Sequence, residues 1–388
     1  MPHYSHISVA IPMLAELENL EPLLERFRRQ TWRDYTLYIC VNNEDGGYGY
    51  EENQQCLALL KYVEDLPLVV IDRSSIGLGW SGKKKGVGWA RKTLFEKIIA
   101  EHGNDELVVS LDADTDFDDN YLEAVAATLN SRPQASAFSV PYYHPLSGNN
   151  ETDRPMLRYE CYMRHYLLNL FRIGSPYAFT ALGSAMAFPL WAYNRVGGIT
   201  PMQAGEDFYL LQKFAKTGNL VSQFAQPYCQ TNMAVRPQGR ISPRVPFGTG
   251  PAIAKGLQGM DESYPFYDIA GFDKIKTTYD MFPTLYQVDI DTPMSDFLRQ
   301  QLATDDLWGP LRRNFKTQNR FVHACAERVD GLRILQYLKN THSFKLDKAS
   351  LPVDFANDSI ATINEYRNQL FTKEMEARSS KYSCIENK

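Results

Sequence analysis

The chain has 388 residues, a formal net charge of −5, 44% hydrophobic and 22% charged residues. That is an ordinary globular composition, long enough for a large core and two or three domains, and without the basic excess of a nucleic-acid binder. Its six cysteines are scattered without Cys-x-x-Cys spacing, which argues against a disulfide framework or a cysteine zinc site and for free thiols in a reducing compartment.

Met1 to His6 has neither the basic nor the apolar region of a signal peptide. No window reaches the roughly 18 apolar residues of a membrane span. The longest apolar region, Tyr177 to Trp191, is interrupted by Thr180, Gly183, Ser184 and Pro189. A cytoplasmic soluble protein is expected, with peripheral membrane contact left open.

Ile7 to Ile11 predicts a strand closed by Pro12, and Glu18 to Arg29 a helix with Leu20, Leu23, Leu24 and Phe27 on one face. Tyr35 to Val41 predicts a strand, Glu51 to Val63 a helix, Leu68 to Ile71 a strand, and Gly82 to Glu101 a mostly helical run. Leu107 to Leu111 reads as a buried central strand, Tyr121 to Leu129 as a helix and Ala135 to Val140 as a strand. This alternation is the signature of βαβ units, hence an α/β fold with a mostly parallel twisted sheet flanked by helices. Further on, Pro155 to Phe171 predicts a helix, Ala185 to Phe188 a strand, Trp191 to Val196 and Glu206 to Lys216 helices, and Leu220 to Phe224 a strand. Gln238 to Gly250 is a loop rich in Arg, Pro and Gly. Beyond it the clearest helical runs are Ser295 to Leu302, Ala324 to Asn340 and Ser359 to Ala377, with a polar run from Arg378 onward.

Five pieces bear on chemistry. Asp112-Ala113-Asp114 follows the central strand, where open α/β sheets bind ligands. Two carboxylates there suit a hard divalent cation and a nucleotide diphosphate; the same residues also suit a solvated turn, and Asp118 to Asn120 a helix cap. Pro12 to Glu16 ends the first strand, where Glu16 either faces a nucleotide or complements the next helix dipole. Gly77 to Gly88 is glycine-rich with Lys83, Lys84 and Lys85. It offers a backbone and a helix N-terminus to phosphate or forms a basic surface turn, and it lacks a Walker A ending. Gly205-Glu206-Asp207 opens a helix, and a carboxylate there can act as a general base or merely favour the first turn. Arg236, Arg240 and Arg244 sit in a loop able to close over a diphosphate or to remain at the surface.

Taken in order, these pieces resemble the family 2 glycosyltransferases of the GT-A fold over roughly residues 5 to 250. The resemblance lies in Ile7 to Pro12, in Leu111 to Thr115 with Tyr121 and Leu122 downstream, and in Gly183 to Leu211, which contains Val196 to Ile199 and Gly205 to Leu210. It implies a GT-A nucleotide-diphospho-sugar transferase domain over 1–250 and a mainly helical C-terminal extension over 251–388. It further implies transfer of a hexosyl group from a nucleotide-sugar donor to a carbohydrate or lipid-linked acceptor, usually with inversion, and Mn²⁺ or Mg²⁺ as cofactor. By position, Asp114 would bind the metal, with Asp112 on the metal through water or on the ribose. Asp207 would be the general base with Glu206 beside it. Pro12, Glu16, Asn43, Lys83, Asp112, Ala113, Gly183 and Ser184 would contact the nucleotide sugar.

The chain departs from the family at Asn42-Asn43, where an acid commonly reads the base, and at Ala15-Glu16, where Asn-Glu is usual. The Gln-x-x-Arg-Trp motif of processive synthases is absent, so a single transfer is expected. A sugar nucleotidyltransferase shares the acidic metal site but usually carries a basic glycine-rich loop after its first strand. A non-catalytic carbohydrate-binding protein on the same fold is the third reading, and the retained Asp112, Asp114 and Asp207 count against it.

Overall fold

The computed structural model describes residues 3–82, 84–222, 233–241, 248–260 and 263–379. Mainly apolar runs become strands, those at the centre of the sheet buried on both faces and the edge strand β3 only partly buried. They are β1 (Ile7–Met13), β2 (Tyr35–Asn42), β3 (Leu68–Arg73), β4 (Leu107–Ser110), β6 (Ala137–Ser139), β7 (Met186–Pro189) and β8 (Leu220–Val221), with β5 (Thr115–Asp116) and β9 (Arg236–Pro237) forming a separate antiparallel pair. The main sheet has the order β3-β2-β1-β4-β7-β6-β8. Its first four strands are parallel, with Ile7 opposite both Tyr35 and Leu107, and β7 alone runs against its neighbours β4 and β6. All seven strands expected from apolar runs are present.

The helices are α1 (Leu17–Arg29), α2 (Tyr50–Leu60), α3 (Val87–Glu101), α4 (Tyr121–Asn130), α5 (Asn150–Arg172), α6 (Leu190–Arg195) and α7 (Glu206–Lys216). The C-terminal part holds α8 (Thr249–Leu257), α9 (Ile269–Leu285), α10 (Ser295–Leu302), α11 (Gly309–Asn314), α12 (Gln318–Arg328), α13 (Gly331–Asn340) and α14 (Ile360–Ser379). No helix among the described residues is long and apolar enough to cross a membrane. Cys40, Cys56, Cys161 and Cys325 are buried free thiols, while Cys229 and Cys384 lie outside the described residues.

Strand residues alternate between the two faces. Val9, Ile11, Leu37, Ile39, Leu107 and Val109 pack with α1, α2 and α4, whereas Ala10, Tyr38, Cys40 and Val108 pack with α3, α6 and α7. That second core continues without a break into Phe272, Ile275, Phe282, Trp308, Phe321 and Leu338 of the C-terminal part. Residue 250 itself lies within α8.

Three helix limits differ most from expectation, and the first is α3, which begins at Val87 rather than Gly82 because Gly86 turns at a φ of 88° before it. α5 starts at Asn150 rather than Pro155 because Asn149 caps it, its side chain accepting from Glu151 N. The run Ala324 to Asn340 is two helices, broken where the Asp330 side chain accepts from Arg333 N and begins α13.

Candidate active site

At the C-terminal ends of β1 and β4 the chain turns into a cavity of about 240 Å³. Its wall includes Pro12 and Glu16 after β1, Asp112, Ala113 and Asp114 after β4, Gly183 and Ser184 before β7, and Glu206 and Asp207 at the start of α7. Asn42, Arg91, Gln238, Arg240 and Thr249 complete its polar lining among the described residues. Among the described residues, eight separate stretches of sequence therefore converge on one opening.

Local structure fixes each side chain. Beyond β1, Ala15 adopts a φ of 50°, held there as its N–H donates to Asn53 Oδ1 at 2.9 Å. This strained turn presents Glu16, which accepts from Asn19 Nδ2 at 2.6 Å. The β5–β9 ladder, with Asp116 opposite Arg236, lays the following residues across the Asp112–Asp114 turn. As a result Arg240 bridges three acids: Asp114 Oδ2 at 3.2 Å, Glu18 Oε1 at 3.0 Å and Glu16 Oε2 at 2.5 Å.

On the opposite wall Arg91 projects from α3. Its guanidinium donates to Glu206 Oε1 and, at 2.5 Å, to Asp112 Oδ1. Gly183 lies beneath it, and a Cβ there would meet Arg91 Nη2 at 1.9 Å. Any larger residue at 183 would push the guanidinium out of its place between the two acids. The Gly183 carbonyl is fixed by Ser110 Oγ at 2.7 Å.

Charge in the cavity is unbalanced. Among the described lining residues, Glu16, Asp112, Asp114, Glu206 and Asp207 face Arg91 and Arg240. Burial opposes the Arg91 charge, but Asp112, Glu206 and Asp207 outweigh it and hold the guanidinium above its ordinary value. One cation cannot neutralise three anions, so the deficit falls on the adjacent pair in α7. Burial pushes Glu206 up to about 7, Arg91 opposing and Asp207 adding. Burial likewise raises Asp207, against Arg91 and the Phe208 N–H, which donates to its Oδ1 at 2.7 Å. The two carboxyls titrate as a pair that retains a proton near neutrality.

Not every expected residue reaches the cavity. Asn43 is buried beside it, donating to the Glu44 carbonyl at 2.6 Å and accepting from Asn53 at 2.8 Å, while its neighbour Asn42 is the lining residue. Arg236 pairs with Asp116 and Asp118 instead. Lys83 and Arg244 lie outside the described residues. Arg91 was not singled out from sequence, although its register with Leu94, Phe95 and Ile98 puts a charge on an apolar stripe.

No protein-family model and no curated protein matches the chain. Among solved structures it is similar to S. aureus TarS 1–349 in complex with UDP-GlcNAc, at 12% identity over 84% of this chain and 91% of that one, with a TM-score of 0.45. It is also similar to the mannosyltransferase PcManGT from Pyrobaculum calidifontis in complex with GDP-Man and Mn²⁺, at 15% identity over 84% and 87% of the two chains, with a TM-score of 0.43. A further structure of S. aureus TarS 1–349 gives 10% identity, coverage of 96% and 90%, and a TM-score of 0.38.

Proposed function

We propose that the chain is a metal-dependent, inverting hexosyltransferase of the family 2 kind. It moves a sugar from a nucleotide-diphosphate donor to an acceptor hydroxyl in a single transfer. The observation that carries this reading is one cavity shared by Asp112, Asp114, Glu206 and Asp207, with acids in surplus over arginines. The turn after β1 carries Glu16 rather than a basic glycine-rich loop, which disfavours a nucleotidyltransferase. Free buried thiols suit work in the cytoplasm.

Asp112 and Asp114 offer the all-oxygen donor set of a hard cation, and the surplus negative charge fits one more positive ion. Mn²⁺ or Mg²⁺ held there would supply positive charge for the departing diphosphate. Asp207 accepts the proton of the acceptor hydroxyl as its oxygen attacks the anomeric carbon and the bond to the diphosphate breaks. Glu206 and Asp112 anchor Arg91, which keeps Asp207 in a positive field. Pro12, Ala113, Gly183 and Ser184 wall the donor side.

Asp207→Asn is expected to abolish transfer while nucleotide binding stays largely intact. The donor is found by thermal shift with nucleoside diphosphates and nucleotide sugars in Mn²⁺, since a ligand at 100 times its Kd stabilises the native state by about 2.7 kcal/mol. Near-normal turnover in Asp207→Asn would remove the base assignment. Failure of every donor to release nucleoside diphosphate would remove the enzyme reading.

A further inference from the structure

At the other end of the sheet, where β1 and β4 begin, a second polar group lies apart from the cavity. His6 precedes β1, His102 follows α3 and Glu106 precedes β4. His6 Nδ1 sits 2.7 Å from Glu106 Oε1, and His102 Nδ1 sits 3.4 Å from Glu106 Oε2. The imidazoles stack with centroids 5.2 Å apart, so both rings address the same carboxylate. The candidate ligand atoms all lie within 4.8 Å of one another.

We propose that His6, His102 and Glu106 form a binding site for a divalent transition metal, with Zn²⁺ the best-fitting ion, that clips the start of β1 to the α3–β4 connection. Two nitrogens and one carboxylate oxygen are zinc donors, and three protein ligands leave a fourth position for water. Arms of about 2.0–2.1 Å at the tetrahedral angle put neighbouring donors roughly 3.4 Å apart, which is the His102–Glu106 gap. His102 Nδ1 makes no hydrogen bond among the described residues. Each ligand is also steadied from behind: His6 Nε2 contacts Thr36 Oγ1 at 3.1 Å, His102 Nε2 contacts Tyr38 OH at 2.8 Å, and Glu106 Oε1 accepts from Ser8 Oγ at 2.6 Å. Partners on the far ring nitrogen orient metal-binding histidines in this way. Both histidines are about a quarter exposed, at 24% and 26%, so an ion and a water have access. The ion takes the place of the proton between His6 Nδ1 and Glu106 and releases it to solvent.

The test is calorimetric titration of the full chain with Zn²⁺, alongside Co²⁺ absorption of the same protein. With excess Mg²⁺ present to occupy the cavity carboxylates, one equivalent is expected to bind, Co²⁺ to show a tetrahedral d–d band, His102→Gln to weaken binding at least tenfold, and Tyr38→Phe to weaken it less. Asp114→Asn, which alters the cavity, is expected to leave the Zn²⁺ affinity unchanged. No saturable binding, an unchanged His102→Gln titration, or loss of the site in Asp114→Asn each overturns the proposal. If His102→Gln fails to fold, the wild-type Co²⁺ spectrum decides, because an octahedral spectrum excludes this ligand set.

Discussion

Two groups of carboxylates and arginines in this chain use the same ingredients to opposite ends. One lines the cavity. The other is sealed between α5 and α14, where Glu160 and Glu374 meet Arg164, Arg367 and Arg378 with almost no solvent access. In the sealed group arginines are in surplus, and backbone carbonyls take up several of their spare N–H groups, while Arg367 Nε and Arg378 Nη2 have no partner among the described residues. Arg378 Nη1 donates to Ser139 O at 2.7 Å and Ser222 O at 2.8 Å, Arg367 Nη1 to His144 O at 2.9 Å, and Arg164 to Tyr142 O. Burial works against the Glu160 charge, but Arg164, His144 and Arg367 hold the carboxyl well below its ordinary value. In the cavity the surplus is negative, and carbonyls cannot offset anions. A sealed group whose surplus arginines lean on backbone carbonyls is architecture; an acid surplus on an open cavity is a request for a cation.

The largest test of that contrast is stability. Glu374→Ala strips Arg378 of its carboxylate and Arg164 of one of its two, and breaking a buried pair costs about 3–5 kcal/mol. Asp114→Asn removes one of the surplus acids from a partly buried bridge and leaves Arg240 its contacts to Glu16 and Glu18, so it is expected to cost clearly less, about 1 kcal/mol. Denaturant midpoints at constant slope compare the two. Equal losses would mean that the cavity acids are structural too, and the contrast would fail.

Legibility follows the same division. All seven strands of the main sheet were readable because runs such as Ile7 to Ile11 and Leu107 to Leu111 are apolar but for a single serine each, Ser8 and Ser110, and a buried strand has nowhere else to go. The turns after β1 and β4 and the start of α7 were readable as acid positions. What joins them was not. The Glu160–Arg164 pair, four residues apart on α5, has the spacing of a solvated helix face, and nothing local announces that α14 will cover it. Arg240 reads as one arginine of a flexible loop until the Thr115↔Pro237 and Asp116↔Arg236 pairings fix its place over Asp114. Ion pairs between distant segments carry no periodicity, so the charge balance that separates the two groups appears only in three dimensions.

A smaller effect is expected from pH, and its two signs oppose each other. Glu206, raised to about 7, and Asp207, also raised, hold a proton in the folded state that the unfolded chain has released. A raised folded value contributes stability that is complete below the unfolded carboxylate range and is lost as pH climbs through about 7. Activity runs the other way, because Asp207 must be unprotonated to act as a base. Below the apparent value of the pair, kcat/KM is expected to fall about tenfold per pH unit. Over one window, then, the metal-free chain loses stability while transfer gains rate. A pH profile of transfer that stays flat between 5 and 8 would separate Asp207 from the proton.

The subtlest test concerns Arg240. Its contacts to Glu16, Glu18 and Asp114 place a positive charge where the proposed ion must compete. A guanidinium that yields one carboxylate to a cation is left beside the nucleotide's diphosphate, so the same side chain opposes the bare ion and favours the complete donor complex. Arg240→Gln is therefore expected to tighten Mn²⁺ binding to the nucleotide-free chain several-fold, the change that losing about 1 kcal/mol of competing ion pairing gives. It is expected to weaken the nucleotide sugar measured with Mn²⁺ already saturating. Calorimetry in the two orders of addition reads both changes. Weaker Mn²⁺ binding in the variant would mean that Arg240 arranges Asp114 for the ion rather than standing in for it, and the cavity would then belong with the sealed group.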